Sequence, residues 1–490
     1  MQLILAWAAV LVIFIVPYPS TVWLLNRSPF PTSKWLALIV SAGLGIGALT
    51  WLMMLEGMLG IPFQFWTILL PYLIIFIPCT ILYFRDRKPA APATSEVHAN
   101  PPARLLLLGR LVVLIVSAAV LLNAIYWPFY KDDAVNIYAD QAHFMYATQG
   151  LVPLKLTFYS YYQAYPMLVQ LSYTYTYLAS GWEDPYLAKV IPTLLSLACL
   201  GAVFFLGKTL YDEKTAWLAV LLLLLTPLFG RWASSGYADL PMAFYYTLAA
   251  LFAWRTWTSD NRVDALLSGT AVGLGAWTKN AMLPAVAFWF AFMLLGLLRK
   301  RIGFRTLLLA CFASAVVAAP WYLRNLLEAH ILMPATVWTN DAGPNLSNIF
   351  VFITHPENFA LSGWLIIISI ALALLQFVRH PRTSDREWLL LVLTLPYFAF
   401  WWLLASYDRR FLLYFLPILV VLTAAYALKI WERIPQPYHQ SLSWLLTLIT
   451  LAMTVYIVTI SIDYKREMLR DPLMNDAAKR KIVAVQPNDP

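Results

Sequence analysis

The sequence predicts an all-α protein that crosses a membrane many times. Its mean hydropathy is +0.68 and only 12% of its 490 residues are charged, whereas about 25% of the residues of a soluble domain are charged. Apolar runs of about 17 to 25 residues, each long enough to span a bilayer as a helix, recur along the whole chain. These observations exclude a soluble globular fold.

About 14 of these runs are predicted to be transmembrane helices. They cover 2–25, 35–55, 61–83, 105–127, 187–207, 215–231, 237–254, 264–278, 281–298, 306–326, 361–378, 388–406, 411–428 and 442–462. The first run has no basic residues before it and is long enough to span, which favours a helix over a cleavable signal peptide. The three cysteines lie inside apolar runs, where packing explains them better than a disulfide or a metal site.

Basic residues are distributed unevenly between alternate loops. Nineteen lysines and arginines lie in one set of loops and eight in the other. Since basic residues concentrate on the cytoplasmic side, the first set is predicted to be cytoplasmic and both termini extracytoplasmic. The expected organisation is three leading helices (1–84), a cytoplasmic linker (85–104), a catalytic body (105–430) with outward loops at 128–186 and 327–360, and a last helix with a short tail (431–490).

The first outward loop opens with adjacent carboxylates in YWPFYKDDAVNIYADQAHF. On a helix, Asp133, Asn136, Asp140 and His143 would share one face, at steps of three, four and three. This pattern fits an amphipathic helix along the membrane surface. Its polar side is either a solvated face with Asp132 as the N-cap, or a site for a general base whose pKa partial desolvation raises.

Two further charged residues stand in apolar surroundings. Asp239 in YADLPMAFYY precedes a proline and a long apolar helix, so it is either an N-cap or a site residue. Lys279, followed by Asn280 in GLGAWTKN, lies in a very short turn between apolar runs. It either extends to the interface or binds an anion, and a phosphate at headgroup level is the expected partner.

Other candidates lie on the same predicted side. Arg409 and Arg410 in SYDRRFLLYFLP, with Arg231 and Lys155, are outward cations that suggest an anionic ligand. Several tyrosines near Lys155, among them Tyr162 and Tyr165, suit a sugar-binding platform or, more simply, an interfacial aromatic belt. Two histidines, at positions 330 and 355, are weak evidence for zinc. Nucleic acid is excluded as a partner because the basic residues form no continuous tract.

Carboxylates and outward cations beside lipid favour one chemistry. The cations would hold the phosphate of a sugar-loaded polyprenyl phosphate, while a carboxylate activates the acceptor. A transporter or lipid flippase is the alternative, although such proteins tend to carry charges near the bilayer midplane in repeated halves, and no such repeat is evident. A non-catalytic scaffold would leave the outward charges unexplained.

Over about residues 105–430 the sequence resembles the membrane glycosyltransferases of the GT-C fold. It is most similar to bacterial relatives of the protein O-mannosyltransferases and of the lipid A aminoarabinose transferase. The resemblance rests on Asp132-Asp133 with the following YADQA, on YADLPMAFYY, on GLGAWTKN and on DRRFLLYFLP. The chain departs from these families in having Asp-Asp where many have Asp-Glu, in the spacing to the next tyrosine, and in the 28 residues that follow 462.

The resemblance implies a GT-C-like bundle in the inner or plasma membrane, with an extracytoplasmic active site that transfers a sugar with inversion. It implies a catalytic base in the acidic pair, Asp239 near the donor, and Lys279 and Arg410 at the lipid phosphate. Asp133 is favoured over Asp132 as the base because it would share a face with Asn136 and Asp140. No cofactor is certain, a divalent metal stays open, and the acceptor is a lipid, a glycan or a protein.

Overall fold

The computed structural model describes residues 2–86, 103–154, 165–332, 346–381, 383–404 and 408–485. Within these ranges every regular element is a helix. The predicted all-α fold class is therefore confirmed.

Every predicted transmembrane run coincides with helical structure. The first half of the chain contains α1 (Gln2–Ile15), α2 (Tyr18–Leu25), α3 (Lys34–Met58), α4 (Phe65–Arg85), α5 (Ala103–Tyr126), α6 (Asp140–Thr148), α7 (Leu168–Ser180), α8 (Pro185–Leu210), α9 (Glu213–Leu224), α10 (Pro227–Trp232) and α11 (Asp239–Ser259). The second half contains α12 (Arg262–Thr278), α13 (Met282–Leu298), α14 (Phe304–Ala329), α15 (Leu346–Thr354), α16 (Pro356–Phe359), α17 (Ser362–Arg379), α18 (Asp385–Leu404), α19 (Leu416–Arg433), α20 (His439–Ser461), α21 (Lys465–Arg470) and α22 (Asp476–Val485). A π-helix (Ala134–Ala139) and 3₁₀ helices (Arg409–Tyr414 and Gln436–Tyr438) complete the described elements.

Nine helical segments in the described ranges are long and apolar enough to cross a bilayer. The remaining predicted spans are helices that are shorter or less apolar, such as α9 with 12 residues. The total of about 14 transmembrane helices therefore stays a prediction.

Proline divides two of the predicted spans. Pro17 separates α1 from α2, and Pro227 begins α10 after a break at Thr226. Proline has no N–H to donate to the helix and its ring clashes with the preceding turn, so a continuous helix is interrupted at both places. The runs at 2–25 and 215–231 are each two helices rather than one.

The loop at 128–186, which is predicted to face outward, contains a buried helix that the sequence pattern does not indicate. Most residues of α7 are buried, and the helix packs against α1, α3, α6 and α8. Its sequence LVQLSYTYTYLAS mixes apolar residues with tyrosine and threonine, so it lacks the apolar run of a span. Through α7, the three leading helices are joined to the loop that carries Asp132 and Asp133.

Helix α11 lies at the centre of the bundle and is buried from Asp239 to Trp257. It packs against α8, α12 and the 3₁₀ helix at Arg409–Tyr414. Beside it, α12 approaches α14 so closely that a Cβ at Gly269 would lie 2.0 Å from the carbonyl oxygen of Ala310. Small residues allow such close contact between membrane helices. The close packing places the first residue of α11 beside the last residues of α12.

The tail after α20 folds back onto the first outward loop. The backbone amide of Asp463 donates to the side-chain oxygen of Asn123 in α5 over 3.0 Å, and the amide nitrogen of Asn123 donates to the Asp463 carboxylate over 2.9 Å. The Tyr464 ring, on a residue with a φ of 44°, lies 5.2 Å from the ring of Trp127. Helices α21 and α22 therefore extend from a turn that is fixed to the end of α5.

Candidate active site

The adjacent carboxylates Asp132 and Asp133 point in different directions. Asp132 is exposed, and its Oδ1 accepts a hydrogen bond of 2.6 Å from the amide of Asn136. Asp133 is partly buried, and one of its carboxylate oxygens lies 2.9 Å from Nη1 of Arg410. The hydroxyl of Tyr237 accepts a hydrogen bond of 3.0 Å from the backbone amide of Asp133. The pair is therefore held at the boundary between an open side and a buried side.

The prediction that Asn136 and His143 share a polar face with Asp133 is wrong, because both side chains pair with other residues. Asn136 supports Asp132 rather than Asp133, and His143 pairs with Glu183 over 2.7 Å. The reason is the π-helix at 134–139, whose wider turn changes which side chains share a face. Asp140, the first residue of α6, is half-buried, and this burial raises its pKa. The argument from sequence for preferring Asp133 as the base is thereby lost.

Asp239 and Lys279 form a buried ion pair. Their carboxylate and ammonium groups are 2.8 Å apart, with side chains that are 1% and 5% exposed. Lys279 is the C-cap residue that follows α12, and Asp239 begins α11, where it makes no capping hydrogen bond. Neither of the simpler explanations from sequence, an N-cap for Asp239 and an interfacial lysine at 279, fits these positions. A buried charged pair among apolar helices is a candidate for a functional site.

Arg410 joins this pair to the acidic segment. Its guanidinium lies 2.9 Å from Asp133, 3.0 Å from Asp408 and 3.9 Å from Asp239. The 3₁₀ helix holds Arg410 in place, because Asp408 is its N-cap and accepts from the backbone amide of Arg410 over 2.8 Å. Sequence reasoning missed Asp408, although its place directly before two outward arginines is a signal for it.

These five residues, Asp133, Asp239, Lys279, Asp408 and Arg410, form what we call the charged cluster. It holds three carboxylates and two cations. Burial raises the pKa of Asp133 above its ordinary value, although Arg410 and Lys279 act in the opposite direction. Because three carboxylates surround the two buried cations, the cluster carries no excess of positive charge.

Aromatic rings enclose the cations of the cluster. The centre of the Arg410 guanidinium lies 4.6 Å from the Tyr237 ring centroid and 5.2 Å from that of Trp232. Lys279 Nζ lies 4.9 Å from the Phe411 ring and 6.0 Å from the Tyr165 ring. Such contacts favour cations that are partly removed from water.

The other predicted site residues lie around this cluster or outside the described chain. Arg231 and Arg409 both face Glu357, at 3.8 Å each. Asn280 is buried and accepts from the Tyr322 hydroxyl over 3.3 Å. Lys155 and Tyr162 lie outside the described residues, so their predicted roles stay predictions.

Two cavities are lined by residues that are close in sequence to members of the charged cluster. One, of about 200 Å³, lies among α15, α17, α18 and α19 and is almost wholly apolar. It begins at Leu412 and Phe415, immediately after Arg410. The other, of about 790 Å³, has a mixed lining of charged and apolar residues that includes Asp132, Tyr237 and the turn that follows α20, and we call it the polar cavity. One cavity is therefore apolar, and the other has a lining that is rich in charged residues.

A metal ion has no evident set of ligands in the part of the chain that the structure describes. No group of three or more His, Cys, Asp or Glu side chains is arranged there to hold one. His355 is the N-cap of α16, and His330 is an exposed residue that ends α14. The predicted possibility of a divalent metal stays untested.

Comparison with known proteins supports the family expected from sequence. Residues 156–323 match the family model of the dolichyl-phosphate-mannose-protein mannosyltransferases. The matched segment contains Asp239 and Lys279. No curated protein sequence matches the chain significantly.

The fold is similar to that of ArnT from Cupriavidus metallidurans. The ArnT structure bound to undecaprenyl phosphate has a TM-score of 0.53 and 16% identity, over 79% of this chain and 69% of ArnT. The apo structure of the same protein has a TM-score of 0.51 and 15% identity, over 78% of this chain and 68% of ArnT. The resemblance expected from sequence is confirmed, and the chain has the GT-C fold of the membrane glycosyltransferases.

Proposed function

We propose that this chain transfers a sugar from a polyprenyl-phosphate donor to a hydroxyl-bearing acceptor at the extracytoplasmic face of the membrane. One observation carries the proposal: Lys279 and Arg410 converge with carboxylates in a single buried cluster. The family match over 156–323 and the GT-C fold support the same activity. The concentration of basic residues in the opposite loops supports the extracytoplasmic orientation.

The two cations are suited to hold the donor phosphate. An arginine fork binds phosphate oxygens bidentately, and a lysine adds a compact charge. Cations fixed where negative charge develops on a leaving group are worth far more at a dry site than in water. The apolar cavity that starts at Leu412 provides a place beside Arg410 for the first isoprene units of the donor.

Carboxylates lie against both of these cations. Asp133 and Asp408 lie within 3.0 Å of Arg410, and Asp239 lies 2.8 Å from Lys279. A donor phosphate must therefore compete with Asp133 for Arg410. Asp239, which is in reach of both cations, holds them at a fixed separation and acts as a positioning residue.

The direction of attack favours Asp132 over Asp133 as the general base. In an inverting transfer, the base and the leaving phosphate lie on opposite sides of the anomeric carbon. Asp133 touches the arginine that would hold the phosphate, so it belongs to the leaving-group side. Asp132 faces the polar cavity and is oriented by Asn136. We therefore propose Asp132 as the base, in place of the Asp133 that the sequence favours.

The reaction then proceeds in one balanced step. The acceptor oxygen forms a bond to the anomeric carbon while the bond from that carbon to the phosphate oxygen breaks. The hydroxyl proton passes to Asp132, and the electron pair of the broken bond stays on the phosphate beside Lys279 and Arg410. The products are the glycosylated acceptor and polyprenyl phosphate.

The test is an assay of the purified protein in nanodiscs with a panel of undecaprenyl-phosphate hexoses and pentoses. Membrane extracts supply the acceptor, and release of undecaprenyl phosphate is measured by mass spectrometry. Release that requires Lys279 and is unaffected by an exposed control change, Arg470→Gln, would support the proposal. Movement of intact donor across the bilayer without cleavage would refute it in favour of a flippase.

A further inference from the structure

The polar cavity of about 790 Å³ is lined by many charged side chains. Its walls come from the start of the first outward loop, the α10 region, Asn358 in α16, Arg409, and the chain from Thr459 to Glu467. Five basic and three acidic side chains line it. So many basic side chains in one cavity are unusual on the predicted extracytoplasmic side, where lysine and arginine are depleted.

This cavity shares a wall with the charged cluster. Tyr237 lines the cavity, while its hydroxyl binds the backbone amide of Asp133 and its ring packs against Arg410. Asp132 lines the same cavity. A molecule in the cavity would therefore meet Asp132 directly, with the donor cations behind Tyr237.

Glu357 is shared by two arginines of the cavity wall. Its Oε2 lies 3.8 Å from Arg231 and 3.8 Å from Arg409, and its side chain is 52% exposed. Charge-assisted hydrogen bonds are normally about 2.7–2.9 Å long, so both contacts are loose. One exposed carboxylate thus stands between two guanidinium groups without binding either of them closely.

Asp463, an acidic residue of the cavity lining, already has several partners. Asp463 accepts from Asn123 and from the Tyr130 hydroxyl, and Lys131 lies 3.9 Å away. Lys131 and Asp463 therefore compensate each other. The other basic residues of the lining are Arg231 and Arg409, together with Lys465 and Arg466 at the start of α21.

We propose that this cavity binds the acceptor and selects one that carries a phosphate group, which Arg231 and Arg409 bind in place of Glu357. The inference rests on the proposed glycosyl transfer, since it assigns the acceptor side of that site. Two guanidinium forks around one point suit a phosphate, whose several oxygens serve both, better than a carboxylate. Glu357 is then a displaceable counter-ion, and the turn at 463–467 is the wall that faces the acceptor.

The phosphate can belong to a lipid headgroup or to a free soluble molecule, and two probes distinguish these sources. Protein in nanodiscs of neutral phosphatidylcholine is titrated calorimetrically with glycerol 3-phosphate and, separately, with short-chain phosphatidate. Glycerol and short-chain phosphatidylcholine are the matched probes without a free phosphate. Binding of either phosphate probe, with none of its matched partner, supports the site and identifies the source.

Four variants make the assignment specific. Arg231→Gln and Arg409→Gln should each weaken phosphate binding about 10- to 150-fold, the value of one hydrogen bond to a charged group. Glu357→Gln should tighten it, because the competing carboxylate is gone. Arg470→Gln, which removes an exposed cation of α21 outside the cavity lining, should leave it unchanged.

Three results would overturn the inference: no binding of either phosphate probe, weaker binding by Glu357→Gln, or an equal loss in Arg470→Gln. A structural role for Glu357 predicts the second of these. Donor cleavage by the wild-type protein is measured in parallel with sugar-loaded undecaprenyl phosphate. Failure of cleavage counts against the proposed function, whereas cleavage without phosphate binding counts only against this cavity as a phosphate site.

Discussion

Replacing Arg410 by glutamine removes the cation that three carboxylates share, and the structure indicates what this should cost. Asp239 keeps Lys279 at 2.8 Å, and the Asp408 side chain is 26% exposed. Asp133 is therefore the group left without a partner. Breaking one buried ion pair from one side costs about 3–5 kcal/mol of folding free energy. Arg410→Gln should accordingly lower the midpoint of thermal unfolding in detergent.

A second change separates stability from donor binding. Asp133→Asn removes the stranded carboxylate, so Arg410→Gln/Asp133→Asn should be more stable than Arg410→Gln alone, with a coupling of about 0.5–3 kcal/mol. The donor phosphate has still lost a charged hydrogen bond in the double variant. Its kcat/KM should therefore stay about 10- to 150-fold below that of the wild type.

The assay combines unfolding midpoints with steady-state release of undecaprenyl phosphate from a sugar-loaded donor. Arg410→Lys is the matched control, since it keeps the positive charge but loses the planar guanidinium group that can bind two oxygens at once. Recovery of both stability and kcat/KM in the double variant would refute the reasoning. It would mean that Arg410 serves only to neutralise Asp133.

Three further predictions follow from the same geometry. Because burial raises the pKa of Asp133, lowering the pH should protonate it at a higher pH than an ordinary aspartate, release Arg410 and lower the donor KM; Asp133→Asn should abolish this pH dependence, and an unchanged dependence would exclude Asp133 as the competitor. Asp239 and Asp408 also lie near Arg410, so the Asp133→Asn variant is needed to identify the group responsible. Lys279→Gln should raise the donor KM and reduce kcat where its contact strengthens in the transition state, whereas normal kinetics would leave Lys279 a structural partner of Asp239. A cysteine introduced at position 346 should react with an impermeant reagent from outside the cell and one at position 94 should not, and the reverse pattern would invert the topology.

The helical fold was predictable because the hydropathy of each run depends only on the residues of that run. Each apolar run is helical, since a chain in lipid must satisfy its backbone hydrogen bonds within itself. Two kinds of detail were not predictable. The buried helix α7 lacks an apolar run, and no sequence signal marks the π-helix at 134–139, whose Tyr138 ring packs against that of Tyr237.

The members of the candidate site were more predictable than their partners. Asp239, Lys279 and Arg410 stand out because charge is rare in apolar segments. Their pairing depends on contacts between distant helices, such as the Arg410–Asp133 ion pair, which one sequence does not encode in any pattern. Asp408 and Glu357 were missed because they lie in polar loop segments, where an acidic residue is ordinary.

The central claim is that Asp132 and Asp133 serve opposite sides of the reacting sugar. The most direct test compares Asp132→Asn and Asp133→Asn in one assay of donor binding and sugar transfer. We predict that Asp132→Asn binds the donor normally but transfers sugar about 100- to 10,000-fold more slowly, the usual contribution of a general base. Asp133→Asn should retain transfer and alter donor binding instead. Normal turnover by Asp132→Asn together with loss of turnover in Asp133→Asn would contradict the account.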